Sequence, residues 1–310
     1  VPTNDPRPTK SQRRDEARAK ALQMRQEQER RARRTKILTA SLLVVVVAAV
    51  AAVVAITIKN NAETEARYGS VVYGGKESQV VAPKLADVQA PSTANESGGI
   101  PVSADGVGEQ GADDVVVTIY FDFMCPYCGM FDTANASDLE DLVAGGGVTV
   151  DYRPISFLDG TSKGTSYSTR AANALAVVAD KSPEHVQAFI KALFENQPSE
   201  GTAGLTDAEI ADLAVEVGVP QEVADTFDAT VEGTFQVGED AEEKTGTWRT
   251  FAPWVSAATQ QMAVDRGKVG TPTVLIDGQE WPGEGEDKGG LYQQGPLRAA
   301  VEAALAAKKG

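Results

Sequence analysis

Residues Ile37 to Ile58 run for 22 positions without a charge, a proline or a glycine, and no other segment restricts the fold of this chain so tightly. In a hydrocarbon core of about 30 Å the backbone groups of a lone apolar segment are satisfied only by a helix. At about 1.5 Å per residue the run reaches across that core. Thr39, Ser41 and Thr57 are tolerable there, because a hydroxyl on a helix bonds back to a carbonyl one turn earlier. A cleavable signal peptide has a shorter apolar core, about 7–15 residues, behind a short leader. Here 36 residues precede the run, so the sequence predicts an uncleaved transmembrane anchor.

Charge gives its orientation. Residues 1–36 carry 12 Lys/Arg against 5 Asp/Glu, while Lys59 is the single basic residue between the run and Arg67. The positive-inside bias places the N-terminus in the cytoplasm and everything after about residue 59 outside. From residue 37 onward the chain holds 17 Lys/Arg and 39 Asp/Glu, a net of −22. A surface so acidic excludes nucleic acid as a partner. The leader Ser11–Lys36 reads as a helix running into the bilayer, and its basic cluster Arg30–Lys36 suits anionic lipid head groups.

The chemistry sits in Cys125-Pro126-Tyr127-Cys128, which holds the only two cysteines of the 310 residues. The pair follows the apolar run Val115–Phe121, at the junction of an expected strand and an expected helix. A disulfide across so short a loop stabilises a fold little, so a reactive dithiol is the better reading. Unpaired N–H groups and the positive dipole end of a helix favour a thiolate at its first turn. Thiols in Cys-x-x-Cys pairs lie between about 3.5 and 7.5, against about 8.5 for a free thiol. Pro126 suits the first helical position. Cys125 is then expected to be the exposed attacking thiol and Cys128 the resolving one. A structural zinc site needs four ligands, and two cysteines with His185, the lone histidine, do not complete one. Met124 and Met130 flank the pair. Soft sulfur ligands favour Cu(I), which keeps a Cu(I)-binding module open as a reading of another class.

Residues 59–99, rich in small and polar types, read as a tether with an ordered patch near Val71–Val81. Ile100–Ser103 and Val115–Phe123 read as strands, the second apolar enough to be covered on both faces. A helix is expected from the cysteines towards Val143, stopped by Gly145–Gly147, then an alternating strand Val148–Ile155. Helices are predicted over Ser168–Asp180, after the start signal Ser182-Pro183-Glu184, after the capping box Thr206–Glu209, over Gln221–Phe235 and over Trp254–Arg266. Val274–Gly278 reads as a strand closing on a turn, Pro282–Gly290 as a loop and Gly295–Lys308 as a last helix. His185 is expected at a surface or cap, and Trp248, Trp254 and Trp281 in the core or lining a groove.

The stretches Phe121–Phe131 and Val269–Gly278 resemble the DsbA-like branch of the thioredoxin-fold superfamily. In that family the residue matching Pro272 is a cis-proline beside the cysteine pair. The residue before it, here Thr271, lends backbone hydrogen bonds to a substrate strand. Cys128 and Pro272 are 144 residues apart, a spacing that needs the helical insertion of DsbA-like proteins rather than the short path of glutaredoxins. Two departures stand out: no histidine lies between the cysteines, and the place six before Cys125, often acidic in thioredoxins, is Ile119.

The fold expected is α/β: a thioredoxin-like fold over residues 100–160 and 248–308, an inserted α-helical domain over 161–247, and one transmembrane helix ahead of both. The function expected is a membrane-anchored extracytoplasmic thiol–disulfide oxidoreductase that donates the Cys125–Cys128 disulfide to exported cysteine-containing proteins, with no cofactor besides that disulfide. The resemblance implies a separate membrane partner of the quinone-linked oxidase type to reoxidise the pair. A disulfide reductase or isomerase, or a cytochrome-maturation protein, is the alternative of opposite electron flow.

Overall fold

The computed structural model describes residues 10–68, 71–73, 80–238, 240–283, 285 and 287–309. The chain divides into two compact units at Glu63/Thr64. The first is helical: α1 runs from Lys10 to Tyr68, its last turn passing into the second unit. Among the described residues it supplies one segment, Arg13–Asn60, long and apolar enough to cross a membrane. Two of its hydroxyls bond back to the helix, Thr39 Oγ1 to the Thr35 carbonyl at 3.0 Å and Thr57 Oγ1 to that of Val53 at 2.9 Å.

The second unit is built on a six-stranded sheet. In chain order the strands are β1 (Ile100–Ser103), β2 (Gly106–Val107), β3 (Val115–Phe121) and β4 (Val148–Pro154), then, after an insertion, β7 (Thr273–Ile276) and β8 (Gln279–Trp281). Across the sheet they lie β2-β1-β4-β3-β7-β8. Central β3 runs parallel to β4, with Val117 opposite Val150, and antiparallel to β7, with Ile119 opposite Val274. Both of its faces are covered, which is why its sequence is nearly continuous in apolar residues. Val115, Val117, Ile119 and Phe121 join the main core with Phe131, Leu139 and Leu142 of helix α2 (Pro126–Gly145) and Leu297 and Val301 of helix α8 (Pro296–Lys309). Tyr120 packs on the other side with Ile155, Leu275 and Met262 of helix α7 (Ala252–Arg266). Asp277 and Gly278 both take positive φ, the geometry of a two-residue hairpin turn between β7 and β8.

Between β4 and α7 lie α3 (Tyr167–Lys181), α4 (Val186–Glu195), α5 (Asp207–Glu216) and α6 (Gln221–Ala224). The helical period is met in α4, where Val186, Phe189, Ile190 and Leu193 are all buried. The capping box at the start of α5 is complete, Thr206 and Glu209 each bonding the other's backbone N–H. Ser182 does not cap: its hydroxyl lies 2.9 Å from His185 Nδ1.

Two expectations are corrected. The helix predicted over Gln221–Phe235 stops at Ala224, and a hairpin follows, β5 (Thr230–Val237) with β6 (Glu242–Arg249). The insertion is therefore not wholly α-helical. β-Branched Thr230, Val231, Thr234 and Val237 favour strand over helix, and Phe235 and Val237 put one face on Val72, Tyr73, Trp248 and Ala252. The tether expected over 59–99 is likewise structured where it is described. α1 continues to Tyr68, whose ring lies 4.8 Å from the Arg170 guanidinium. Val71 and Val80 form β-bridges to Thr247 and Val237. Asn95 donates to Asp151 at 2.9 Å and accepts from the Gly99 backbone, fixing the approach to β1. The middle of the expected patch, residues 74–79, and positions 284 and 286 of the expected loop lie outside the described residues.

Candidate active site

The site forms where β3 turns into α2. After Phe121 the chain reverses its period through Asp122-Phe123-Met124. Asp122 Oδ1 accepts the Met124 N–H at 2.8 Å, a side-chain turn of the kind Asp forms with the residue two ahead. The Cys125 N–H meets the Asp122 carbonyl at 3.0 Å, and Cys125 becomes the residue flanking the first turn of α2, with Pro126 in that turn. Phe121, Phe123 and Phe194 wedge behind the turn, their ring centroids 5.0–5.8 Å apart.

Asp122 is fully buried. Its Oδ1 also accepts from Ser168 Oγ at 2.6 Å, and its Oδ2 from the Leu158 N–H at 3.0 Å. Burial pushes its carboxyl up to about 7 against the opposing pull of those donors. One side chain thus ties β3, the chain after β4, and α3 to the loop that carries the cysteines. Nothing in the local sequence pattern marks it out, since a single Asp after a strand is common turn chemistry.

Both cysteines are free thiols in this structure, and their surroundings differ. Cys125 is lowered to about 6, chiefly because the Cys128 thiol donates to it. Burial works against this, while the Thr271 hydroxyl and the N–H groups of Cys128 and Tyr127 add to it. Cys128 is pushed well above the ordinary thiol range, first by burial and then by its partner's charge. These surroundings favour ionisation of Cys125 over Cys128, the Cys128 thiol contributing most and the helix-terminal N–H groups less. The expectation that Cys125 is exposed is corrected: the residue is 4% exposed and Cys128 1%, while Pro126 and Tyr127 between them face solvent. Cys125 sits against the Phe123–Met124 turn and the Thr271 backbone rather than on an open helix end.

From across the sheet, the segment before β7 brings Thr271 and Pro272 beside the pair. Their peptide bond is cis, and the Cys125 thiol lies 3.4 Å from the Thr271 carbonyl oxygen. The Thr271 hydroxyl is buried beside the pair and favours the ionised form of both sulfurs. Tyr127 stacks at a tilt on Tyr292, ring centroids 5.9 Å apart. The Tyr292 hydroxyl is raised by burial and then by the charge of Cys125. An open groove of about 650 Å³ runs alongside, lined by Pro126, Met130, Phe194, Gln197, Tyr292 and Gln294 among others. Tyr292 and Gln197 escaped sequence reasoning: neither belongs to a periodic pattern.

The flanking methionines part company, Met124 wholly buried in the core and Met130 half exposed on α2. Among the described residues no group of three or more His, Cys, Asp or Glu is assembled as a metal would need.

Comparison with known proteins bears on this geometry. A thioredoxin family model matches residues 106–288, more than half of the chain. The solved structure of reduced DsbA from Mycobacterium tuberculosis is 26% identical, with a TM-score of 0.50 over 68% of this chain and 92% of that one. MdbA, a thiol-disulfide oxidoreductase from Actinomyces oris, is 21% identical, with a TM-score of 0.52 over 72% and 96%, a likeness of fold. The serine/threonine-protein kinase PknE of M. tuberculosis is 41% identical over 106 residues, 33% of this chain and 19% of the kinase. The chain thus spans about a fifth of that curated relative.

Proposed function

Because the chain belongs to the thioredoxin family, we propose that it is a membrane-anchored thiol–disulfide oxidoreductase that works outside the cytoplasm and donates the Cys125–Cys128 disulfide to exported proteins. The observation that carries this reading is the placement of the two thiols at the first turn of α2, Cys125 Sγ 3.4 Å from the Thr271 carbonyl oxygen, an arrangement that lowers Cys125 and raises Cys128. In the oxidised pair a client thiolate attacks Cys125 Sγ. The Cys125–Cys128 bond breaks, and Cys128 leaves and takes up a proton, as its raised pKa favours. The client's second thiolate then attacks the client sulfur of the mixed disulfide and expels Cys125. A leaving thiol of low pKa departs faster, and Cys125 meets that need. Two client thiols become one disulfide, two electrons pass to the pair, and no cofactor is needed beyond it.

The net charge of −22 after residue 36 and the basic leader support an outer catalytic unit by the positive-inside bias, in the compartment where disulfides persist. Reoxidation falls to a separate membrane partner of the quinone-linked oxidase type, because no third cysteine exists for an internal relay. The test uses the full chain in detergent micelles, oxidised and mixed with a reduced client protein. The wild type forms client disulfides and Cys125→Ala forms none. Cys128→Ser, mixed instead with the client in its disulfide form, accumulates client joined to Cys125, one client thiol being released and no second thiol being present to expel the other. Client oxidation that survives in Cys125→Ala overturns the reading.

A further inference from the structure

Gln197 follows helix α4 within the insertion, yet its side chain reaches back into the active-site turn. Its Nε2 donates to the Phe123 carbonyl at 2.9 Å and to the Cys125 carbonyl at 2.8 Å. Its own N–H meets the carbonyl of Phe194 at 3.2 Å, the residue whose ring packs on Phe121 and Phe123. The Cys125 carbonyl is also the first acceptor of α2, bonded by the N–H of Cys128 at 2.9 Å and of Gly129 at 3.4 Å. A Cβ on Gly129 would collide with Gln197 Oε1, so the helix keeps a glycine where the amide lies against it.

We propose that Gln197 is a positioning residue for the reactive thiol. The inference rests on the oxidoreductase reading above. With one amide the insertion fixes the Phe123–Met124 and Cys125–Pro126 peptide planes and so holds the carbonyl from which α2 starts. Those planes decide where the N–H groups of Tyr127 and Cys128 point, and both stabilise the Cys125 thiolate. The amide also binds two carbonyl oxygens whose negative ends would otherwise oppose charge on the neighbouring sulfur. Gln197 touches no reacting atom; it acts through the turn. Asp122 grips the same turn from the opposite side through the Met124 N–H, so the segment between the two carbonyls is held at three successive residues.

The test is a double-mutant cycle on the full chain in micelles, reading two quantities that a merely structural anchor leaves alone. One is the pH titration of thiolate absorbance in the reduced protein; the other is the redox equilibrium with glutathione. Gln197→Ala is expected to raise the thiolate midpoint by about 0.5–1 unit and to weaken the oxidising equilibrium about 3–10-fold. Gln197→Glu, which sets an oxygen against both carbonyls, is expected to exceed Gln197→Ala. Gly129→Ala, which displaces the amide without altering it, is expected to reproduce Gln197→Ala, and the double variant to be no worse than either, since both remove one interaction. Exchange by the wild type with all three single variants titrating as it does overturns the assignment alone, whatever their melting temperatures. Additive effects in the double variant overturn it as well. A wild type that fails to exchange with glutathione overturns the oxidoreductase reading and this assignment with it.

Discussion

The sheet and the insertion between β4 and α7 are held together by different means. In the sheet, β3 and β4 bury Val115, Val117, Ile119, Phe121, Val148 and Val150 against helices, and burial of apolar area does most of the work. The insertion also buries apolar residues, Leu175, Phe189, Ile190 and Leu193 among them, and adds to them a set of buried polar groups. Asp207 binds Arg170 and Arg249 at 2.9 Å each, one oxygen apiece. The two arginines spend their remaining donors on the carbonyls of Thr165, Leu205 and Phe227. Asn173, wholly buried, donates to Phe227 and accepts from the Phe251 N–H. Asp159 accepts from both the N–H and the hydroxyl of Thr169. The active site lies on the boundary, with its sulfurs on the sheet side and Ser168 and Gln197 reaching in from the insertion.

This contrast is sharpest at Asp207, whose carboxyl burial would raise but the charges of Arg249 and Arg170 hold below the ordinary range. Asp207→Ala leaves two buried guanidinium groups without their anion and is expected to cost about 3–5 kcal/mol in denaturant unfolding. Thiolate titration in the surviving folded protein is expected to match the wild type, because this triad does not touch the sulfurs. A variant that loses both stability and the low Cys125 pKa would erase the distinction between the two regions.

Asp122 is the intermediate case, a buried polar group of the insertion's kind placed inside the sheet's active turn. Asp122→Asn turns an N–H₂ towards one of the three donors the carboxyl accepts and is expected to cost about 1–3 kcal/mol at pH 5. It also changes the pH dependence. The folded carboxyls of Asp122 and Asp159 are raised to about 7 and about 6 by burial, above the unfolded value of about 3.9. The folded state therefore binds more protons between those values, and stability falls as pH rises from about 4 through 7. Asp122→Asn is expected to flatten that fall without abolishing it, since Asp159 and Asp132, also raised to about 7, remain. Unfolding curves across pH 4 to 8 check the slope. The smallest effect expected is at Thr271→Val, which removes one hydroxyl near the sulfurs and should raise the Cys125 midpoint by a few tenths of a unit, with stability slightly lowered above about pH 6, where the ionised sulfur loses a donor.

What was legible in the sequence divides along the same line. β1, β3, α2, β4, α4 and the capped start of α5 could be read because apolar spacing and capping residues are local signals. The cysteine pair was legible from its place after a strand, whereas the chief cause of its asymmetry, the Cys128 thiol donating to Cys125, was not. The hairpin β5–β6 was not, because Gln221–Phe235 supports a helical spacing until Tyr73, Val72 and Trp248 are known to cover one face of it. Residues 80–99 look like linker by composition, yet Asn95 and the bridge at Val80 order them through partners far along the chain. Gln197 and Asp122 bind backbone groups, which carry no residue identity, so no pattern in the sequence announces them.

In the function proposed above, the environment of the pair stabilises the reduced form and so makes its disulfide a donor. The most direct measurement is the reduction potential of the full chain, equilibrated against glutathione. A disulfide donor gives a value nearer to about −120 mV than to about −270 mV, and that is the value expected. A value at or below about −270 mV would place the pair with reductants and contradict it.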